Sequence, residues 1–305
     1  LLMGLPAAAY ISGLSVSWIA IGLAFGTYLN WKIIAGRLRV FTDIFGDSIT
    51  IPQYLQNRFL TNSSLIRIIC AIVIFIFFLI YTASAFNAQA KVFQYLFNID
   101  YVICVTAGAL IILTYTFLGG FLAVCWTELF QGLLMFFALL IIPVLAWKAT
   151  PDISLNMLAS INNGTYLNLF KSSAGTVSLI AIISNFAWGL GYLGMPHILV
   201  RFMAIRSGDM IKKSRIIAMT WVILTLCAAL AIGIIGYVYL KSQGIVYNNQ
   251  TEAEIIFIIS FLRFMASFFV AGRLYIYNVN VVHIPFFNSC FYWFVIKYLS
   301  FIYFY

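Results

Sequence analysis

The chain has 305 residues, of which 64% are hydrophobic and only 8% charged, and its mean hydropathy is +1.04. A soluble domain carries about 25% charged residues, so a water-soluble enzyme or binding module is excluded and a membrane-embedded helical bundle is indicated. The net charge of +9 comes from residues scattered at the ends of apolar stretches, which suits loops facing the cytoplasm and argues against a nucleic-acid partner.

At about 20 residues per crossing, the length has room for about seven to nine spans. Apolar stretches fall at residues 1–13, 14–31, 66–90, 101–118, 121–147, 177–200 and 216–240, followed by a poorly patterned apolar tail over 255–305. The first stretch ends at Ser12-Gly13, which predicts a turn or helix end, and it is too short to cross a bilayer alone. It reads as the second half of a longer helix. The chain opens on Leu1 inside an apolar run and reads as a fragment. Long apolar stretches with short connections and no strand-like alternation predict an all-α membrane protein.

Basic residues orient the spans. The loop after the second stretch holds Lys32, Arg37, Arg39, Arg58 and Arg67, and the loop after the sixth holds Arg201, Arg206, Lys212, Lys213 and Arg215. The alternating loops hold Lys91, Lys148, Lys171 and Lys241, so the balance is ten against four. The two rich loops are expected on the cytoplasmic side of a multi-pass protein of the cytoplasmic (inner) membrane.

Few residues offer chemistry. Cys70, Cys104, Cys125, Cys227 and Cys290 stand singly in apolar surroundings, as small apolar side chains do. His197 and His283 have no second ligand one helical turn away, so no metal site is expected. Glu128 is the one carboxylate close to a span interior. It reads either as a functional intramembrane acid or as an interfacial, paired residue near the cytoplasmic end. With no second buried acid, no acid–base pair is formed, and no enzyme is expected.

The strongest local signal is the run Trp188-Gly189-Leu190-Gly191-Tyr192-Leu193-Gly194-Met195-Pro196-His197. Glycine costs about 1 kcal/mol in a helix interior and proline about 3 kcal/mol, so the span is expected to break here. In hydrocarbon, freed backbone groups persist only when buried in protein or lining a polar cavity. A broken span with Trp188 and Tyr192 beside the break is a candidate ligand site at mid-membrane, the mark of a secondary transporter. The two aromatic residues are four apart, which places them on one face if the helix stays wound. Ordinary packing or an interfacial aromatic belt is the competing account, although belt residues belong at span ends. Tyr81, followed by Thr82-Ala83-Ser84-Ala85, sits at a seam of small residues that permits close helix approach; core packing serves equally well as an account of it.

Several stretches in order carry a resemblance. They are Ser17-Trp18-Ile19-Ala20-Ile21-Gly22-Leu23, then Asn30-Trp31-Lys32 through Ala35-Gly36-Arg37-Leu38-Arg39-Val40, then Gly119-Gly120-Phe121-Leu122-Ala123-Val124-Cys125-Trp126-Thr127-Glu128. The Trp188–His197 run continues into Ile198-Leu199-Val200-Arg201-Phe202-Met203-Ala204. Over residues 1–272 the chain resembles the sodium/solute symporter family, most closely its proline-carrying branch. The resemblance implies a fold of two inverted five-helix repeats with a broken sixth core helix, here partial. It also implies sodium as coupling ion with no other cofactor, and uptake of L-proline or a similar small solute across the lipid bilayer. By resemblance, Trp188, Tyr192 and Pro196 on the sixth core helix and Tyr81 on the third match substrate positions, and Gly189, Gly191 and Gly194 give backbone access and a hinge. The family often has Gln where Met195 stands and Asp where Glu128 stands.

Two departures bear on the sodium site. The family's Asp-x-Ser-Gly stretch falls just before the point matching Leu1, and its Ser-Thr pair would follow Phe269-Val270-Ala271-Gly272, where this chain reads Arg273-Leu274-Tyr275. No sodium-holding residue is therefore assigned, and the expected organisation is a partial symporter bundle over 1–272 with an aromatic tail over 273–305. Uptake is then expected to be impaired, and the alternatives are a non-functional truncated product or a solute-sensing module without coupled flux. Eleven of the twenty residues from Phe286 to Tyr305 are aromatic, against 18% in the whole chain, as in an out-of-frame translation of an AT-rich gene. Sequencing the gene and translating all frames beyond codon 272 is expected to reveal a family-like continuation in another frame; its absence counts against the frameshift.

Overall fold

Among the described residues of the computed structural model, five helical stretches are long and apolar enough to cross a membrane, and a sixth is a pair of helices bent by 45°. The structure describes residues 3–60, 63–149, 158, 160–172, 175–242, 244–247, 249–254 and 256. The aromatic tail expected over 273–305 and His283 lie outside them. Two units emerge, one of Leu1–Ile80 with Trp126–Phe264 and one of Tyr81–Cys125 with Met265–Tyr305.

In the first unit α1 (Gly4–Ser12) ends where Ser12-Gly13 predicts, and a 3₁₀ turn (Gly13–Val16) leads into α2 (Ser17–Leu29). A π-helical segment (Asn30–Ala35) then passes into α3 (Gly36–Ile44). These elements form one apolar stretch, Gly4–Ile44, where the sequence predicts two spans. Next come α4 (Ile51–Arg58) and the start of α5 (Leu65–Phe97). The Thr50 hydroxyl accepts a bond from the Gln53 N–H at 3.4 Å, and Pro52 sits in the first turn, the usual start of a helix.

The second part of this unit holds the end of α6 (Tyr101–Ala149) and a 3₁₀ turn (Ile161–Gly164). A small antiparallel hairpin follows, β1 (Lys171–Ser172) against β2 (Gly175–Thr176), which the sequence does not predict. It is too short to alter the all-α class. Then come α7 (Leu179–Ala187), a 3₁₀ segment (Trp188–Gly194), α8 (Pro196–Met203), α9 (Met210–Ser242) and a last turn, α10 (Gln250–Ala253).

Leu5 of α1, Val16 of the 3₁₀ turn and Ala20 of α2 pack with Leu139 and Ile142 of α6 and with Leu226, Ala229 and Ile232 of α9. Two clusters close the ends. At one end Trp31 meets Phe202 edge-on at 4.6 Å, and Ala35 and Ile211 are buried beside it. At the other, Tyr166 lies under the end of α1: its hydroxyl donates toward the carbonyls of Ala9 and Tyr10, at 3.1 and 3.0 Å. The Tyr166 carbonyl accepts from the Leu14 N–H at 2.8 Å, and the Trp18 indole donates to the Leu169 carbonyl at 3.1 Å. The Tyr166 ring packs 5.1 Å from Tyr237 of α9. Burial pushes the Tyr166 phenol well above its ordinary pKa, so it stays a donor.

In the second unit, α5 runs on from Tyr81 and α6 begins at Tyr101. Gly120 takes φ 55° and ψ −149°, a conformation open to glycine alone without strain. It divides α6 into the spans Tyr101–Phe121 and Val124–Lys148, near the predicted 101–118 and 121–147. The Tyr101 hydroxyl donates to Asn87 Oδ1 at 3.2 Å and links α6 to α5.

Four cysteines fall among the described residues, all free. Cys104 is buried, as a small apolar side chain would be, whereas Cys70 and Cys125 are half-buried and Cys227 is exposed on α9. Removing the Tyr166 hydroxyl deletes two bonds in a buried setting, so Tyr166→Phe is expected to destabilise the fold by about 1–3 kcal/mol. Denaturation of the detergent-solubilised protein checks this.

Candidate functional site

The break is built as the glycines and proline require. The Ser178 side chain accepts from the Ala181 N–H at 3.2 Å and starts α7. α-Helical winding stops at Ala187, and Trp188–Gly194 continues as a 3₁₀ helix. Met195 is extended (φ −70°, ψ 113°) and Pro196 opens α8, where its missing N–H costs nothing. The Met195 carbonyl accepts from the N–H groups of Ile198 and Leu199, at 3.0 and 3.1 Å.

The 3₁₀ segment lies directly on α2. A Cβ placed on Gly26 would fall into the Gly189 backbone, one on Gly189 into Gly22, and one on Gly22 into Phe186. Gly22 and Gly26, one turn apart on α2, and Gly189 thus form a seam where two backbones meet without side chains between them. Gly191 and Gly194 differ: no atom lies within 4 Å of where their Cβ would stand. Gly189 is a packing glycine, while the backbone at the other two faces open space.

Asn30 completes the seam. It is 1% exposed, it begins the π-helical segment, and its Nδ2 donates to the Tyr192 carbonyl at 2.7 Å. A carbonyl released from α-helical bonding inside a membrane needs such a donor. Asn30 Oδ1 has no partner among the described residues. In the sequence Asn30 stands out only as part of the Asn30-Trp31-Lys32 stretch. The available signal was a lone amide at the end of an apolar span, which does not reveal what it faces.

Trp188 is 65% exposed, and Tyr192 and Pro196 are half-buried. They do not share a face as four-apart residues of an α-helix would. At 3.0 residues per turn, residues four apart point about 120° away from each other. The glycine-rich seam tightens the winding and so separates the two rings. Tyr81 belongs to the other unit, at the point where it begins on α5, and is 50% exposed. Within the first unit, Phe78 of α5 packs edge-on against His197 at 5.7 Å.

Glu128 is paired with Arg201 at the end of α8, which resolves its two readings in favour of the paired one. Arg39 of α3 donates to the Met203 carbonyl at 3.0 Å and pairs with Asp43 at 2.7 Å. Both ends of the break are therefore anchored, one by the seam and one by side chains at the end of α8. Among the described residues no group of three or more His, Cys, Asp or Glu side chains could hold a metal ion.

A multi-span helical protein with one span unwound at a seam has the construction of secondary transporters. Residues 1–275 match the model of the sodium:solute symporter family, and the chain belongs to that family. It is 45% identical over 266 residues to the sodium/proline symporter of Escherichia coli K12, covering 85% of this chain and 51% of that protein. It is 44% identical over 259 residues to the sodium/proline symporter of Salmonella typhimurium LT2, covering 84% and 51%. With the sodium/proline symporter of Haemophilus influenzae Rd it shares 42% identity over 264 residues, covering 85% and 52%. The chain spans about half the length of these relatives.

The seam predicts a contrast between glycines. Gly26→Ala is expected to destabilise the protein by about 1–3 kcal/mol through overpacking, while Gly191→Ala, beside open space, stays within about 0.5 kcal/mol of the parent. Denaturation in detergent with both variants side by side checks this.

Proposed function

We propose that the chain serves sodium-coupled uptake of a small amino acid, with L-proline as the leading substrate, across the cytoplasmic membrane. The observation that carries this reading is the unwound segment Trp188–Gly194, seated on α2 and followed by the extended Met195 and by Pro196. An amino acid is a zwitterion with a small apolar body. The start of α8 offers the positive end of a helix dipole to its carboxylate, and the exposed backbone at Gly191 and Gly194 offers carbonyls to its ammonium group. Trp188 and Tyr192 supply apolar surface for a pyrrolidine ring. Tyr81 joins the substrate site by the family resemblance, and Gly189, Gly191 and Gly194 form the hinge. The inverted five-helix repeat belongs to the same proposal, as does the division into a bundle over 1–272 and a tail.

Sodium is co-transported cargo in this reading. It shifts the balance between outward- and inward-facing states to the extent that it binds one better. No residue of this chain is assigned to hold it.

The test is uptake of labelled proline by proteoliposomes containing the 305-residue chain. An inward sodium gradient is expected to drive more accumulation than an equal potassium gradient. Trp188→Ala is expected to raise the half-saturating proline concentration about tenfold, equivalent to about 1.4 kcal/mol. Saturable proline binding without sodium-driven accumulation would instead identify a solute-sensing module. Loss of both would identify a non-functional product.

A further inference from the structure

The two basic loops predicted for one side of the membrane do meet. Where the π-helical segment and α3 face the start of α9, a groove of about 760 Å³ opens. Its inner wall is apolar and aromatic: Trp31 packs on Phe202, and Ile211 is buried beside Ala35. Its rim carries Lys32 and Arg37 from one wall and Lys212 and Arg215 from the other. Among the described residues no carboxylate lines the groove. Among the described residues none of these four cations has a carboxylate within 4.0 Å, whereas Asp43 and Asp47 are engaged by Arg39. The Lys32 ammonium lies 5.4 Å from the centre of the Tyr28 ring. Gly36 and Gly208 leave open space in the walls.

Four unpaired positive charges around one cavity repel each other unless an anion joins them. An inorganic anion would satisfy the rim and leave the apolar wall wet. The groove lies where the apolar stretch Gly4–Ile44 and the span Met210–Ser242 reach their basic ends, and its edge continues into Ile33 and Val40, 45% and 52% exposed. A molecule with a phosphate head and a hydrocarbon body matches both halves. Basic pockets between helices on the cytoplasmic side of a membrane hold anionic headgroups in this way. We infer that the groove binds an anionic phospholipid of the cytoplasmic leaflet, its phosphate between Arg37, Lys212 and Arg215 and its acyl chain along Ile33 and Val40. The site is separate from the unwound segment, and the inference does not rest on what the protein transports.

Native mass spectrometry of the full chain in neutral detergent, titrated with phosphatidylglycerol or phosphatidylcholine of the same acyl chains, tests it. The parent is expected to retain one phosphatidylglycerol about tenfold more tightly than phosphatidylcholine, and the double variant Lys212→Gln with Arg215→Gln to lose that preference. The variant Arg206→Gln with Lys213→Gln removes the same charge outside the groove and is expected to keep it. Equal loss in both variants would reduce the effect to net charge and overturn the site. Displacement of the lipid by millimolar inorganic phosphate would mark a free-anion site and also overturn it. A second readout is independent of the basic variants. In nanodiscs, brominated phosphatidylglycerol is expected to quench the emission contributed by Trp31, taken as the difference from Trp31→Phe, more than brominated phosphatidylcholine does. Equal quenching overturns the inference.

Discussion

The constraint on which the first unit depends is the approach of two backbones at Gly22, Gly26 and Gly189. A helix can run against an unwound segment at that distance only if neither carries a side chain there. The 3₁₀ winding of Trp188–Gly194 has a cost of its own, because carbonyls released from α-helical bonding stand where water is scarce. Asn30 offsets part of it by donating to the Tyr192 carbonyl. Residues from α2 onward thus hold a broken span in place, and the break leaves backbone accessible at Gly191 and Gly194.

Around this seam the unit is tied at each end by different chemistry. On one side a buried tyrosine, Tyr166, bonds to the end of α1 and packs on Tyr237 of α9. On the other, Arg39 takes the Met203 carbonyl and Arg201 pairs with Glu128. Arg39 and Glu128 hold the end of the bent pair against α3 and α6. The middle of the pair rests on glycine contacts, which resist compression but supply few directional bonds.

Much of this was legible in the sequence. Composition and the length of apolar runs predict a helical membrane protein, and Gly119-Gly120 predicts the division that Gly120 makes in α6. The Trp188–His197 run predicts the break because glycine and proline act on the backbone locally, whatever surrounds them. The counts of basic residues predict that Lys32 and Arg37 lie on the same side as Lys212 and Arg215, and all four line one groove. A shared face of Trp188 and Tyr192 depends on the helix staying wound, and local sequence did not reveal that the segment turns 3₁₀.

The sequence by itself determined the class, the approximate spans, the position of the break and the family motifs, since each follows from local composition or from runs of neighbouring residues. Only the tertiary structure decided which glycine is a packing glycine and which leaves backbone open, that Glu128 is paired, and that Asn30 serves the break. The physical reason is distance along the chain. Asn30 and Tyr192 are 162 residues apart, and Tyr166 and Ala9 are 157 apart. No local pattern records a partner that only packing brings within a hydrogen bond's reach.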